Sequence, residues 1–287
     1  MKFSKPITEI IRERTSWRTY YPELLEEDVK REIERILKQG DLVSPFSSKT
    51  GICRFEMVSV LEFDPDEQRQ LGTYGMISGA QEFIVGASEK SEYYKENFGY
   101  LMELIILKAT DLGLGTCWLG GTFNRTIFSK KVNCKAEEVI PAITPIGQPA
   151  KRRSREKIIR KVIQAKKRKS WEEIFFNTNI QNPLSRENLD EYSTILEMVR
   201  LGPSAGNKQP WRIIKEENRN VFHFYVKYPG GKLAASYRPF VKLDMGIAAC
   251  HFDLTAKEFG IKGGWHFTNP DIPLPENLDY IFTWKSE

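Results

Sequence analysis

Asn97–Trp118, NFGYLMELIILKATDLGLGTCW, returns in altered form at Asp244–Trp265, DMGIAACHFDLTAKEFGIKGGW. A constant offset of 147 positions places Gly99 on Gly246, Gly113 on Gly260 and Trp118 on Trp265. Each stretch reads as a long helix with an apolar stripe that runs into a glycine and then a strand. Phe98, Leu101, Ile105 and Leu112 form one stripe; Met245, Ala249, Phe252 and Phe259 form the other. Amphipathic helices are also expected over Glu23–Gln39, with Gly40 as its stop, and over Ser185–Arg200. The loops that follow them, SPFSSKTGICRF and GPSAGNKQPWRI, align at an offset of 158, which sets Pro45 on Pro203 and Arg54 on Arg212. Strand candidates pair as well: Glu82–Ser88 with Val221–Tyr228, and Val139–Gly147 with Tyr280–Trp284. So many elements in one order imply two diverged copies of a single α+β unit. Two copies are too few for a solenoid, and a covalently fused dimer is the natural architecture.

Composition fits that reading. Of 287 residues, 40% are apolar and 28% charged, the mix of a chain with a substantial core. No run reaches the roughly 20 apolar residues that span a bilayer. The opening MKFSKPITEIIRERTSWR lacks an apolar signal region, so no secretory leader is expected. The four cysteines, Cys53, Cys117, Cys134 and Cys250, show no metal-binding or disulfide spacing, which suits a reducing cytoplasm. The net charge of +5 is uneven: residues 151–169 carry +10 and the remainder −5. A basic run can touch nucleic acid or an acidic membrane, but a solvated helix face is the simpler account. No aromatic residues interleave with these cations and no nucleic-acid motif is present, so neither nucleic acid nor membrane is an expected partner. His223, His251 and His266 are scattered, and neither a metal site nor a histidine nucleophile is expected.

The copies differ at their ends. The first carries the extension RERTSWRTYYP and the tail AKKRKSWEEIF; the second begins almost at its first helix and stops after its last strand. Three segments together resemble the nitroreductase family of FMN-dependent oxidoreductases. Arg14-Thr15-Ser16-Trp17-Arg18 is similar to that family's Arg-Arg-Ser-x-Arg opening. Gly202-Pro203-Ser204-Ala205-Gly206-Asn207-Lys208-Gln209-Pro210-Trp211 is close to its Pro-Ser-Ala-Gly-Asn-x-Gln-Pro-Trp loop. Leu112 to Gly121, LGLGTCWLGG, resembles its Gly-Leu-Gly-x-x-Trp-Ile-Gly segment, and Arg168–Ile174 matches its closing motif more loosely.

The resemblance implies an FMN-dependent nitroreductase-like α+β fold, fused as an intramolecular pseudo-dimer, with copy one over 1–179 and copy two over 180–287. Ordinary members are homodimers whose two flavin sites each draw on both subunits. Carried onto this chain, copy one supplies Arg14, Thr15, Ser16, Arg18, Leu119, Gly120, Gly121, Lys166 and Arg168. Copy two supplies Pro203, Ser204, Ala205 and Asn207. The arginines and Ser16 would hold the phosphate, the Gly120 N–H would meet flavin N5, and Ser204 and Asn207 would bond the ribityl chain or pyrimidine edge. Pro210 and Trp211 would pack the loop. The reciprocal site is incomplete, because Lys49 stands in the place of Asn207, Cys53 in that of Trp211, and Lys262 in that of Gly115. The expectation is one FMN per chain, NAD(P)H as transient donor, a small-molecule acceptor (nitroaromatic, quinone or activated alkene), no catalytic side chain, no metal and a monomer. A flavin store or sensor of the same fold is the alternative, as are other flavin reactions on this scaffold.

Overall fold

The computed structural model describes residues 1–38, 42–73, 76–165, 167–187, 189–228, 230–231, 234–270 and 272–287. The chain divides into two compact units: Met1–Lys5 with Glu13–Ala165, and Pro6–Arg12 with Lys166–Glu287. Helix α1 (Ile7–Glu13) thus belongs almost wholly to the second unit. There the Glu258 carboxylate accepts from the Ile7 and Thr8 N–H groups at 2.6 and 3.3 Å, satisfying donors that a helix start leaves open.

The first unit begins with α2 (Glu27–Lys38). It starts four residues later than the periodicity suggests, since the Leu25 N–H is taken by the buried Glu82 carboxylate at 2.9 Å. The expected stop at Gly40 lies outside the described residues. There follow β1 (Cys53–Ser59), α3 (Pro65–Arg69), β2 (Glu82–Glu89), α4 (Tyr94–Asp111) and β3 (Gly115–Thr116). Helix α5 (Arg125–Lys131), β4 (Glu138–Val139), β5 (Ile143–Gly147) and α6 (Ser154–Val162) complete the unit. The sheet runs β1-β2-β5-β3, antiparallel throughout, with β4 at the end of β2. Phe83, Phe63 and Phe123 crowd Phe128, with ring centroids 5.4, 5.5 and 5.9 Å away, and anchor the core on one sheet face.

The second unit comprises β6 (Phe175–Asn177), α7 (Glu191–Leu201), β7 (Trp211–Lys215), β8 (Val221–Lys227) and the short α8 (Ala234–Tyr237). Helix α9 (Val241–Glu258), β9 (Gly263–His266) and β10 (Leu278–Ser286) follow. Its order is β6-β7-β8-β10-β9, with only β6–β7 parallel. Leaving β6 and β4 aside, the strand order β7-β8-β10-β9 repeats β1-β2-β5-β3. The compact units part at residue 165, so the tail 167–179 of the first sequence copy folds in the second unit, where β6 pairs with β7. Phe222, Phe224, Phe252, Trp265, Phe282 and Trp284 form the aromatic core here.

Both offsets hold to the residue. Helices α4 and α9 start and end 147 positions apart. Each closes on a glycine in the left-handed region, Gly113 at φ +76° and Gly260 at φ +69°, in a Schellman turn. The long helices are buried on nearly every side rather than along one stripe, and α4 buries Glu96, Asn97, Glu103 and Lys108 as well. The offset of 158 brings β1 and β7 to matching starts, each preceded by a 3-10 turn, Ser47–Lys49 and Ala205–Asn207. Each loop is fastened to the first turn of its long helix at the matching position. Ser44 Oγ donates to Asn97 Oδ1 at 2.5 Å, and the Ala205 N–H donates to Asp244 Oδ1 at 3.0 Å.

One ion pair ties β1 to β4. Arg54 donates from Nε and Nη2 to the two oxygens of Glu138, both at 2.8 Å, and the Lys135 N–H adds a third bond. The Arg54 guanidinium is the largest cause that holds the Glu138 carboxyl at about 2, below the ordinary 4.5. A lowered folded-state value makes this contribution whole above pH 4.5, and it is lost as pH falls towards 2. Its size is about 3 kcal/mol. Urea unfolding of wild type and Glu138→Gln across that window should therefore show wild type losing about 3 kcal/mol more than the variant. Parallel pH profiles would contradict the assignment.

Candidate functional site

In the first unit, Arg14–Arg18 runs extended beside β3. The Trp17 N–H donates to Thr116 O at 2.8 Å, and Ser16 bridges Thr116 in parallel. The strands approach closely: a Cβ on Gly115 would lie 3.0 Å from that of Trp17. Alternation along the segment puts Arg14, Ser16 and Arg18 on one side. Arg18 is 9% exposed, and its Nε and Nη1 have no hydrogen-bond partner. Arg14 Nε is likewise unpartnered, with Glu103 Oε1 3.8 Å away. Buried donors left open are costly, and such a pair on one short segment suits an anionic ligand. A cleft of 760 Å³ opens at Arg18 and Thr19, walled by Val60, Leu71, Ile77 and Phe83, with Arg153 and Arg155 on its rim. Glu156 lines the same end, and Arg14, Ser16, Gly120 and Arg160 are not among the cleft's walls.

The strand continues to the other expected residues of this unit. Leu119 exchanges backbone bonds with Ile143 at 2.9 and 3.0 Å. Arg125, which sequence reasoning passed over, donates to the Gly120 carbonyl and to Ile140 O, and so fixes the turn. Neither Gly120 nor Gly121 uses the left-handed backbone. Among the described residues the Gly120 N–H has no partner. Cys117 is buried nearby, and burial raises its thiol pKa even though Arg18 and Arg14 pull it down. It is a packing thiol at neutral pH. Helix α6 adds Arg160, whose Nη1 donates to Ser16 O at 3.0 Å. Burial lowers its pKa, as do Arg152, Arg18 and Arg14, against the opposing pull of Glu156. In the sequence, Arg160, Arg153 and Arg155 stand out only as members of the charge run.

In the second unit, Pro203–Asn207 is a tight, cross-linked loop. Ser204 Oγ accepts from the Gln209 N–H at 2.8 Å, and Asn207 sits at φ +56°, a region that Asn tolerates. Arg168 donates to Asn207 Oδ1 at 3.0 Å and to Leu201 O at 3.1 Å, while Asn207 Nδ2 donates to Lys167 O at 2.8 Å. The tail and the loop are thus brought together, with Arg168 bonded within this unit. Lys166 lies outside the described residues. Trp211 is fully buried, in keeping with a packing role.

His223 and His251 are buried and hydrogen-bonded. His223 is buried against Thr283 Oγ1 (2.7 Å) and Glu216 Oε1 (3.1 Å), and burial lowers its pKa. His251 Nδ1 lies 2.9 Å from Met198 O. Among the described residues no His, Cys, Asp or Glu cluster could hold a metal, and no helix is long and apolar enough to cross a membrane.

The fold is nitroreductase-like. A "putative nitroreductase" from Thermotoga maritima MSB8 is similar over 99% of this chain and 95% of its own, with TM-score 0.62 and 21% identity. The family model described as "Putative TM nitroreductase" matches residues 6–256, and the chain belongs to that family. A "Putative NADH dehydrogenase/NAD(P)H nitroreductase" from Bacteroides thetaiotaomicron covers 52% of this chain with 90% of its own, at TM-score 0.41 and 19% identity. A "putative nitroreductase in complex with FMN" from Desulfovibrio desulfuricans covers 54% with 95% of its own, at TM-score 0.39 and 21% identity. No curated protein matches significantly.

Proposed function

We propose that this chain is an FMN-dependent oxidoreductase built from two fused copies, 1–179 and 180–287, with one FMN per chain. It would pass hydride from NAD(P)H to a small oxidised acceptor: a nitroaromatic, a quinone or an activated alkene. The carrying observation is Arg18, buried, and Arg14, whose side chain is 6% exposed, both with open donors on the segment that resembles the family's phosphate grip. Family membership supports the same reading.

The residues fit the group. Arg14, Ser16 and Arg18 would hold the phosphate through charge-assisted bonds, with Thr15 as their neighbour on the segment. Leu119, Gly120 and Gly121 would line the reactive edge, and the open Gly120 N–H would donate at N5. By the resemblance, Pro203, Ser204, Ala205 and Asn207 are candidates for the ribityl chain or pyrimidine edge, and Lys166 and Arg168 are further phosphate candidates from the tail. FMN, when bound, supplies the two-electron chemistry. No side chain is needed as general acid or base. A single-chain pseudo-dimer of this kind is proposed to work as a monomer in the cytoplasm.

FMN-loaded protein should oxidise NADH or NADPH steadily with menadione or a nitroaromatic, well above the same concentration of free FMN. Tight FMN binding without such turnover would overturn the enzymatic reading in favour of a flavin store or sensor. Failure to bind FMN would overturn both.

A further inference from the structure

Four guanidinium groups gather around one stretch of main chain in the first unit. Arg14 and Arg18 flank Ser16, and the segment leading into α6 and α6 itself bring Arg152 and Arg160. Arg160 is anchored on Ser16 O, and Arg152 stacks on Trp17, 3.6 Å from the ring centroid. Two carboxylates stand against them. Glu156, 3% exposed, accepts from Arg152 Nε at 3.0 Å and from Thr19 Oγ1 at 2.8 Å. Glu103, fully buried, lies beside Arg14. Among these six groups the balance is a surplus of two positive charges, and three nitrogens of Arg14 and Arg18 have no hydrogen-bond partner. Like charges collect out of water only where an opposite charge offsets them. A phosphate monoester carries about −1.5 to −2 at neutral pH, which matches the surplus.

We propose that Arg160 of α6 is a phosphate ligand of the bound flavin, closing the phosphate pocket over Ser16 from a helix outside every motif that carries the resemblance. Glu156 then acts as a fixed counter-ion. It holds Arg152 and Thr19 and leaves the charge of Arg160 for the ligand. Part of the basic run is therefore a built element of the site, while Lys157 and Lys161, unpaired among the described residues, remain a solvated face. The proposal rests on the FMN reading.

The test compares FMN with riboflavin, which lacks the phosphate, by fluorescence titration of flavin-free protein. Arg160→Ala should weaken FMN binding by about 30-fold and leave riboflavin within about twofold. Arg160→Gln, which keeps a donor for Ser16 O, should lose as much as Arg160→Ala, and Arg160→Lys should recover part of the loss. Equal losses for both flavins, an unchanged FMN affinity, or an Arg160→Gln protein that binds like wild type would each overturn the proposal. Wild type that binds no FMN would instead remove the reading beneath it, a result distinct from wild type that binds while Arg160→Ala is unaffected.

Discussion

Arg18→Met is expected to weaken FMN binding by about two to three orders of magnitude while leaving the flavin-free protein at least as stable as wild type. The two effects share one cause. Arg18 is buried among like charges with two nitrogens unpartnered, and each such donor costs about 1–3 kcal/mol in the flavin-free state. Met keeps the length and the apolar stem and removes the unmet donors. With the phosphate in place, two charge-assisted bonds of about 1.5–3 kcal/mol each are forfeited, which sets the affinity loss. The backbone bond from the Ser78 N–H to Arg18 O is untouched by the substitution. Flavin titration reads the first effect and urea unfolding of the stripped protein the second. A fall in stability beyond about 2 kcal/mol would mean that Arg18 is a structural cation.

Glu103→Ala is expected to be the most destabilising single change near the site. The carboxylate is fully buried on α4, accepts from Trp118 Nε1 at 2.8 Å and faces Arg14. Alanine strands an indole N–H and a buried guanidinium together, at a cost of about 3–5 kcal/mol. Glu103→Gln keeps an oxygen for Trp118 and should lose only about 1–2 kcal/mol. Urea unfolding of the two variants checks both figures, and equal losses would show that the hydrogen bond to Trp118 is not what Glu103 provides.

What could be read beforehand was whatever is written locally. The 147 and 158 offsets located α4 against α9 and the Ser47–Lys49 turn against Ala205–Asn207, because helix ends carry their own signals in Gly113 and Gly260. Long-range pairing was not legible. Nothing in Phe175–Asn177 announces a parallel partner in β7, and nothing in Ile7–Glu13 announces the Glu258 cap. The late start of α2 depends on a carboxylate 57 residues away. The same limit explains the site. Arg14, Ser16 and Arg18 stand in a recognisable motif, whereas Arg160 and Arg125 reach the main chain of Ser16 and Gly120. Such contacts leave no periodicity and no spacing to find. A run of cations looks alike in sequence whether its members face water or pack on the main chain, and only the structure shows that Glu156 is buried and that Arg160 reaches Ser16 O.

One complete flavin site per chain is tested by the ratio of flavin released by acid to protein. Protein saturated with FMN and freed of excess should yield a ratio near one. Arg14, Ser16 and Arg18 have no counterpart in residues 180–287, and, on the proposed duplication, Lys49 and Lys262 occupy positions that a reciprocal site would need. A ratio near two would show that the second site is competent and would contradict the account.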